Sequence, residues 1–85
     1  TTMNDIERDA TIDIRDSIAP ISLLMVENQL AKMQSGQVLE VLCDDAETKI
    51  DLVRIIKNSG HRCVAVTNTP DCFKLVIKKR GPAPV

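Results

Sequence analysis

The stretch DIRDSIAPIS, residues 13–22, joins two different hydrophobic patterns. Residues 11–15 alternate polar and apolar side chains, which is typical of a half-buried strand. From Pro20 to about residue 34 apolar side chains recur at helical spacing, which predicts an amphipathic helix. Proline is tolerated at the first helical position because its missing N–H has no partner there. The stretch therefore predicts a strand that leads directly into a helix, with Ala19 as the N-cap.

This junction has the chemistry of an anion site. A helix N-terminus presents free N–H groups and the positive end of the helix dipole, and a cysteine there has a lowered pKa. Alanine is among the poorest N-cap residues, because its side chain accepts no hydrogen bond. Ala19 therefore stands where a thiolate would be stabilised.

The rest of the chain continues the alternation of strands and helices. The pattern predicts strands over residues 11–15, 37–43, 61–67 and 72–79 and helices over residues 20–34 and 44–58. Two strand–helix–strand units favour right-handed crossovers, which place both helices on one face of the sheet. The predicted fold class is α/β (α+β): a two-layer sandwich of order β-α-β-α-β-β, with two helices on one face of a four-stranded mixed sheet. Residues 1–10 are expected to form a flexible arm, residues 11–80 the domain and residues 81–85 a tail.

Specific positions in these elements follow from the same patterns. The second strand is predicted to lie mid-sheet, and either Asp44 or Asp45 to cap the second helix. The first helix is expected to bury Leu23, Val26, Leu30 and Met33, and the second Ala46, Ile50, Val53 and Ile56. The last strand is expected to turn Phe73, Leu75 and Ile77 inward and Lys74 and Lys78 outward. A turn over residues 68–71 would place Thr67 opposite Cys72 and Cys63 opposite Val76. Gly36 and Gly60 are expected to end the helices in the left-handed conformation.

Composition excludes several classes of function. With 85 residues, 44 % of them hydrophobic and Phe73 the single aromatic residue, the chain suits one small aliphatic core. A net charge of −1 and the lack of stacking aromatics disfavour nucleic acid as a partner. No apolar run is long enough to span a bilayer, and the acidic start does not resemble a signal peptide. We therefore expect a cytoplasmic domain without membrane insertion.

Residues 13–22 also carry a known signature. The TusA (SirA-like) family of small sulfur carriers has the motif D-x-R-G-x-x-C-P-x-P, and this chain reads D-x-R-D-x-x-A-P-x-S. The segment LCDDAETKIDL, residues 42–52, and the pair Gly60-His61 resemble two further family blocks in the same order. The chain therefore resembles the TusA family over residues 11–80.

The resemblance implies the predicted fold and a persulfide carrier without a cofactor. In that family the motif cysteine accepts sulfane sulfur, from a persulfide or thiosulfate, and relays it to a partner. The implied partners are sulfur-donor and sulfur-acceptor proteins, and for some relatives a membrane thiosulfate transporter. Ala19 occupies the position of the expected catalytic cysteine, so we interpret the chain as an inactive Cys-to-Ala variant of a sulfurtransferase. The alternative is a non-catalytic binding or regulatory module that docks on a sulfur transporter or enzyme.

Three residues near Ala19 are candidates for support of this site. Pro20 would start the helix and leave the following N–H groups facing the sulfur. Arg15 would attract an oxyanion, or else pair with a neighbouring carboxylate. Ser22 would donate to a bound anion, or else be a solvated serine of the first turn. Glu27 stands where relatives often have Lys or Arg.

Other reactive side chains have simpler explanations. Cys43, Cys63 and Cys72 include no C-x-x-C pair, which argues against a zinc site or a disulfide framework, and they are predicted to be small core residues in a reducing compartment. His61 has no second histidine with which to bind a metal. The basic residues of the last strand, Lys74 to Arg80, are interpreted as a solvated sheet edge, or as a patch for an acidic partner.

Overall fold

The computed structural model describes residues 7–81, and the predictions for residues 1–6 and 82–85 lie outside that part. Six elements follow one another: β1 (Ala10–Asp13), α1 (Ile21–Lys32), β2 (Val38–Cys43), α2 (Ala46–Asn58), β3 (Arg62–Asn68) and β4 (Phe73–Lys78). The predicted fold class, two helices packed on a four-stranded mixed sheet, is confirmed. Within residues 7–81 no helix is both long and apolar enough to cross a membrane.

The sheet has the strand order β1-β2-β4-β3. β1 and β2 are parallel, and β4 is antiparallel to both β2 and β3. The central position predicted for β2 is confirmed. The interpretation of β4 as a sheet edge is wrong, because β4 lies between β2 and β3, and the edge strands are β1 and β3.

The core lies between the sheet and the helices. β2 contributes Leu39, Val41 and Cys43, and β4 contributes Leu75 and Ile77, all buried against α1 and α2. Successive strand side chains point to opposite faces, so Leu42 and Lys78 lie on the open face of the sheet. The inward direction predicted for Leu75 and Ile77 is therefore confirmed.

The two helices begin differently from each other. Asp45 caps α2, because its carboxylate accepts hydrogen bonds from the Thr48 N–H (3.1 Å) and hydroxyl (2.8 Å). α1 begins at Ile21, and Pro20 is its N-cap, with no side-chain hydrogen bond. The Leu24 N–H donates to the Pro20 carbonyl at 3.1 Å, which fixes Pro20 just outside the helix. The prediction that Ala19 is the N-cap is therefore wrong by one residue.

The buried face of α2 also differs from the prediction. Ile56 is buried and Val53 packs partly against the core, as predicted, but Thr48 and Leu52 are also buried, whereas Ile50 is 52 % exposed and Ala46 is exposed. Residues two apart on a helix are separated by about 200°, so burying Leu52 turns Ile50 to solvent. In α1 the predicted residues Val26 and Leu30 are buried, as is the C-cap Met33, and Leu23 packs partly against the core.

The hairpin between β3 and β4 has a different register from the predicted one. Thr67 lies opposite Lys74, and Cys63 opposite Ile77, with a bulge between Cys63 and Ala65. Thr69 closes the turn, because its N–H donates to the Cys72 carbonyl (2.8 Å) and its hydroxyl accepts from the Cys72 N–H (3.0 Å). The turn lies at residues 69–72, one residue further along the chain than predicted, which moves the partner of Thr67 by two residues, and the bulge reduces this offset to one residue at Cys63.

The two helix-terminating glycines have φ values of +85° (Gly36) and +81° (Gly60). Gly60 directly follows the C-cap of α2, as predicted. Because α1 already ends at Lys32, Gly36 instead lies in the next turn, where the Gln37 N–H donates to the Gln34 carbonyl.

Candidate functional site

Ala19 lies exposed at the end of the sheet where β1 and β2 terminate, in the segment that leads from β1 to α1. The carboxyl ends of parallel strands meet at the same edge, so the segment after β1 lies beside the one after β2. Between them is a cleft of about 230 Å³, which residues 15–19 and the start of α2 line. The fold therefore places position 19 in an accessible cleft next to two helix N-termini.

Carboxylates dominate the charge of this cleft. Its lining includes Asp16, Asp44, Asp45, Glu47 and Asp51, and Arg15 is the one basic residue among them. Like charges nearby disfavour an anion, so this lining opposes the stabilisation that the helix N-termini provide. The cleft is accessible, but its surroundings are acidic.

The positive charge of Arg15 does little to neutralise these carboxylates, because its guanidinium pairs with Asp13. Its Nε and Nη2 atoms donate to the two carboxylate oxygens of Asp13 at 2.9 and 2.7 Å. These bonds lower the pKa of Asp13 to about 2 and raise the pKa of Arg15. Of the two alternatives for Arg15, the structure shows the neighbouring ion pair.

Ser22 is buried and does not line the cleft, contrary to both expectations for it. With α1 starting at Ile21, residue 22 falls on the stripe that Val26 and Leu30 continue into the core. Its N–H donates to the Ile18 carbonyl at 3.0 Å, while its hydroxyl oxygen has no partner among the described residues. Ser22 is therefore a buried polar residue behind the site and does not contact a ligand in the cleft.

We expect Ser22→Ala to raise the free energy of unfolding by about 1 kcal/mol, since it removes an unpaired buried hydroxyl and adds a better helix former. Thr48→Val is the matched control. The Thr48 hydroxyl is also buried but donates to Asp45 at 2.8 Å, so its loss should cost about 1 kcal/mol. Urea unfolding followed by circular dichroism measures both changes. A loss of stability in both variants would show that the Ser22 hydroxyl has a partner.

An exposed apolar strip, which was not predicted from the sequence, borders the cleft. Ile18, Ile21 and Leu24 are 75 %, 59 % and 54 % exposed. They are spaced three residues apart, which places side chains on one side of a helix, and this spacing is the sequence pattern that could have predicted the strip. Large exposed apolar side chains that lie together favour contact with a partner protein.

The three cysteines do not replace a thiol at position 19. Burial, followed by the charges of Asp44 and Asp45, raises the pKa of Cys43, and its Sγ donates to the Asp45 carbonyl at 3.3 Å. Burial also raises the pKa of Cys63, and Cys72 is buried. Cys43 and Cys63 are therefore poor nucleophiles in this fold, and burial shields the Cys72 thiol. Within residues 7–81 no group of three or more His, Cys, Asp or Glu is placed to hold a metal ion.

His61 and the end of the basic stretch lie at the opposite end of the sheet from Ala19. The His61 Nδ1 atom accepts the Arg80 N–H at 3.0 Å. Burial and the charges of Lys79 and Arg80 lower its pKa. Lys79 and Arg80 turn towards the helices, whereas Lys78 lies exposed on the open face. The basic residues are therefore not one patch.

The fold agrees with the comparisons with known proteins. The family model described as "Sulfurtransferase TusA" matches residues 10–79. The chain belongs to the TusA sulfurtransferase family. This confirms the predicted resemblance, which rested on residues 13–22 and two further blocks.

Relatives of this TusA-family chain bear names from sulfur metabolism. A protein of Archaeoglobus fulgidus named "Putative sulfur carrier protein" is 32 % identical over 80 % of this chain and 93 % of its own length. A Bacillus subtilis protein of the same description is 30 % identical over 84 % of this chain and 95 % of its own length. The crystal structure of a SirA-like protein from Desulfitobacterium hafniense shares the fold, with a TM-score of 0.74 and 20 % identity over 84 % of this chain and 97 % of that one.

Proposed function

We propose that this domain is a sulfur carrier of TusA type whose sulfur-bearing position is 19, and that the chain with Ala19 is its inactive form. The observation that carries the proposal is the placement of Ala19. In a chain of this family, it is exposed in a cleft at the start of α1, beside an apolar strip suited to a partner. We further propose that the domain acts in the cytoplasm on donor and acceptor proteins, and that one partner is a thiosulfate transporter.

The proposed chemistry is an exchange of sulfane sulfur at a cysteine in position 19. Its thiolate attacks the terminal sulfur of a donor persulfide; the donor sulfur leaves as a thiolate, and the domain becomes the persulfide. With thiosulfate as donor, sulfite leaves instead. An acceptor thiolate then attacks the terminal sulfur and releases the domain thiolate. Each step exchanges one S–S bond for another, so no external oxidant or reductant is needed.

The residues of the chain have distinct parts in this proposal. Pro20 is the N-cap of α1, so position 19 lies one residue before the N-cap. The helix N-terminus stabilises an anionic sulfur through its dipole. Ile18 and Ile21 supply apolar contact area around the sulfur, which brings a partner thiol close.

The test is sulfur loading of Ala19→Cys, measured by intact mass after incubation with a small-molecule persulfide and, separately, with thiosulfate. We expect a gain of one sulfur atom from the persulfide on Ala19→Cys and no gain on the Ala19 chain. Ala31→Cys is the matched control, because Ala31 is an exposed alanine in the last turn of α1, at the opposite end of that helix from Ala19. Peptide mapping locates the added sulfur.

Three results would contradict the proposal. Equal loading of Ala19→Cys and Ala31→Cys would mean that any exposed thiol reacts. Loading of the Ala19 chain would move the chemistry to Cys43, Cys63 or Cys72. No loading of either cysteine variant would favour the second candidate function.

The second candidate is a non-catalytic module that docks on a sulfur transporter or enzyme and regulates it. The acidic lining of the cleft favours this reading, because five carboxylates border position 19 and oppose a sulfur anion there. The same carboxylates, together with the apolar strip, would suit a partner with a basic surface. In this reading Ala19 is the functional residue, because a small neutral side chain leaves the docking surface open.

A further inference from the structure

A second cavity, of about 390 Å³, lies between the C-terminal halves of the two helices. Its floor includes the apolar side chains of Val26, Leu30, Leu52 and Ile56, each less than 5 % exposed. The β1–α1 segment that carries Ala19 does not contribute to its lining, and the proposed sulfur exchange does not use it. We refer to this cavity as the helix groove.

One end of the helix groove is polar and basic. His61, Lys79 and Arg80 line it there, brought together by the start of β3 and the residues after β4. Glu27 is the one acidic residue in the described lining. Two cations and one carboxylate therefore give this cavity a net positive charge.

The basic side chains retain hydrogen-bond donors for a ligand. Lys79 Nζ donates to the Leu30 carbonyl, and Arg80 Nη1 donates to the Ser59 carbonyl at 3.4 Å. Each contact occupies one donor, out of three on a lysine ammonium and five on an arginine guanidinium. These two bonds also offset the partial negative charge of the helix C-termini, which would otherwise repel an anion.

His61 adds a neutral donor. Its Nδ1 atom accepts the Arg80 backbone N–H, so the neutral ring carries its proton on Nε2. Burial and the two neighbouring cations lower the pKa of His61, which favours the neutral ring. The basic end thus combines a neutral N–H donor with two cations.

We propose that the helix groove binds a small amphipathic anion: an apolar body on the floor of the groove, with a single carboxylate or sulfonate at the Lys79, Arg80 and His61 end. The cavity volume lies in the range typical of sites for small molecules. An apolar floor with few polar groups at one end is the usual pattern of such sites. The proposal concerns a different part of the molecule from the proposed sulfur transfer.

The test uses 1-anilinonaphthalene-8-sulfonate, which has an aromatic body and one sulfonate, with the full chain. We expect its fluorescence to rise with a one-site titration, and octanoate to displace it. Octylamine, with the same apolar chain and the opposite charge, should not displace it. Arg80→Gln should weaken binding about fivefold, because it removes a charged donor that is partly screened by solvent. Lys78→Gln is the control, since Lys78 is exposed and outside the groove, and it should bind as the unchanged chain does.

A second variant tests the location. Ala31 lies exposed at the rim of the groove, so Ala31→Phe should fill the groove and abolish dye binding while leaving the thermal unfolding midpoint unchanged. Dye binding that survives Ala31→Phe, or that Leu24→Ser abolishes, would place the dye on the apolar strip and overturn the proposal. Equal displacement by octanoate and octylamine would also overturn it. Ala19 stays unaltered in all these variants, so the result is independent of sulfur loading.

Discussion

Replacing Leu39 by alanine is expected to lower the free energy of unfolding by about 3 kcal/mol, the largest stability effect that we predict for a single substitution. Leu39 is fully buried in β2, the strand that β1 and β4 flank. It faces the helices, with Ala10 and Ile77 beside it in the neighbouring strands. Truncation removes apolar contacts and leaves a cavity that a central strand cannot close by moving.

Leu42→Ala is the matched control, because it is the same substitution in the same strand on the opposite face. Leu42 is half-buried, with Asp13 and Lys74 beside it in β1 and β4. We expect a loss of about 1 kcal/mol, in line with the smaller area that it buries. Both values come from urea unfolding followed by far-ultraviolet circular dichroism, with an unchanged denaturant dependence. Equal losses would show that the two faces of β2 are buried alike, which contradicts the two-layer fold.

A loss of about 3 kcal/mol in the free energy of unfolding is large for this domain. Small domains have free energies of unfolding of roughly 5 to 10 kcal/mol, so Leu39→Ala removes a large share of the total. A reduced yield of folded protein is the expected consequence. The core is aliphatic, with one aromatic residue in the chain, so few other contacts compensate.

The fold was predictable from the sequence because each element carries its own periodicity. Strand β2 is apolar on both faces and therefore central, and the change of period at Pro20 marks the passage from strand to helix. Two strand–helix–strand units then restrict the topology. All of these signals are local or depend on general rules of handedness.

What the sequence did not determine depends on tertiary contacts. The rotation of α2 is decided by Leu52 packing on the sheet, although Ile50 carries an equally apolar side chain. The hairpin register depends on hydrogen bonds of Thr69 and on a bulge, neither of which has a periodic signal. The burial of Ser22 follows from a helix start that differs by one residue from the predicted start.

The candidate site was also predictable only in part, because local sequence patterns do not show which distant residues surround it. The motif spacing predicted a site at position 19, and the structure leaves Ala19, Pro20 and Arg15 exposed, whereas the predicted neighbour Ser22 is buried. The acidic surroundings were not predicted, because Asp16 and Asp51 are far apart in sequence and meet only in the folded chain. The pairing of Arg15 was left open, since a bound oxyanion and a neighbouring carboxylate are both suitable partners for a guanidinium.

These acidic surroundings lead to the second large prediction, which concerns a cysteine at position 19. In the Ala19→Cys background, we expect Asp16→Asn and Asp44→Asn each to lower the pKa of the new thiol. A nearby negative charge disfavours the thiolate, so removing it increases the thiolate fraction at neutral pH. At the edge of a solvated cleft, each neutralised carboxylate should raise the rate of alkylation at pH 7 by about threefold to tenfold.

The measurement is the rate of reaction with iodoacetamide against pH, with peptide mapping to separate position 19 from Cys43. That separation matters because Asp44 also raises the pKa of Cys43. Glu27→Gln is the matched control, since Glu27 is an exposed carboxylate of α1 that lines the helix groove and not the cleft. It should leave the rate unchanged, and added salt should reduce the effect of the other two substitutions.

The outcome bears on the second candidate function, because the acidic lining of the cleft is the observation that favours a docking module. If neutralising Asp16 and Asp44 lowers the pKa and raises sulfur loading, the natural surroundings restrain a thiolate. A carrier then needs its partner to supply positive charge when it docks. If the pKa does not change, the carboxylates are too well solvated to affect position 19. The docking module then loses the observation that favours it, and the carrier function is the one supported.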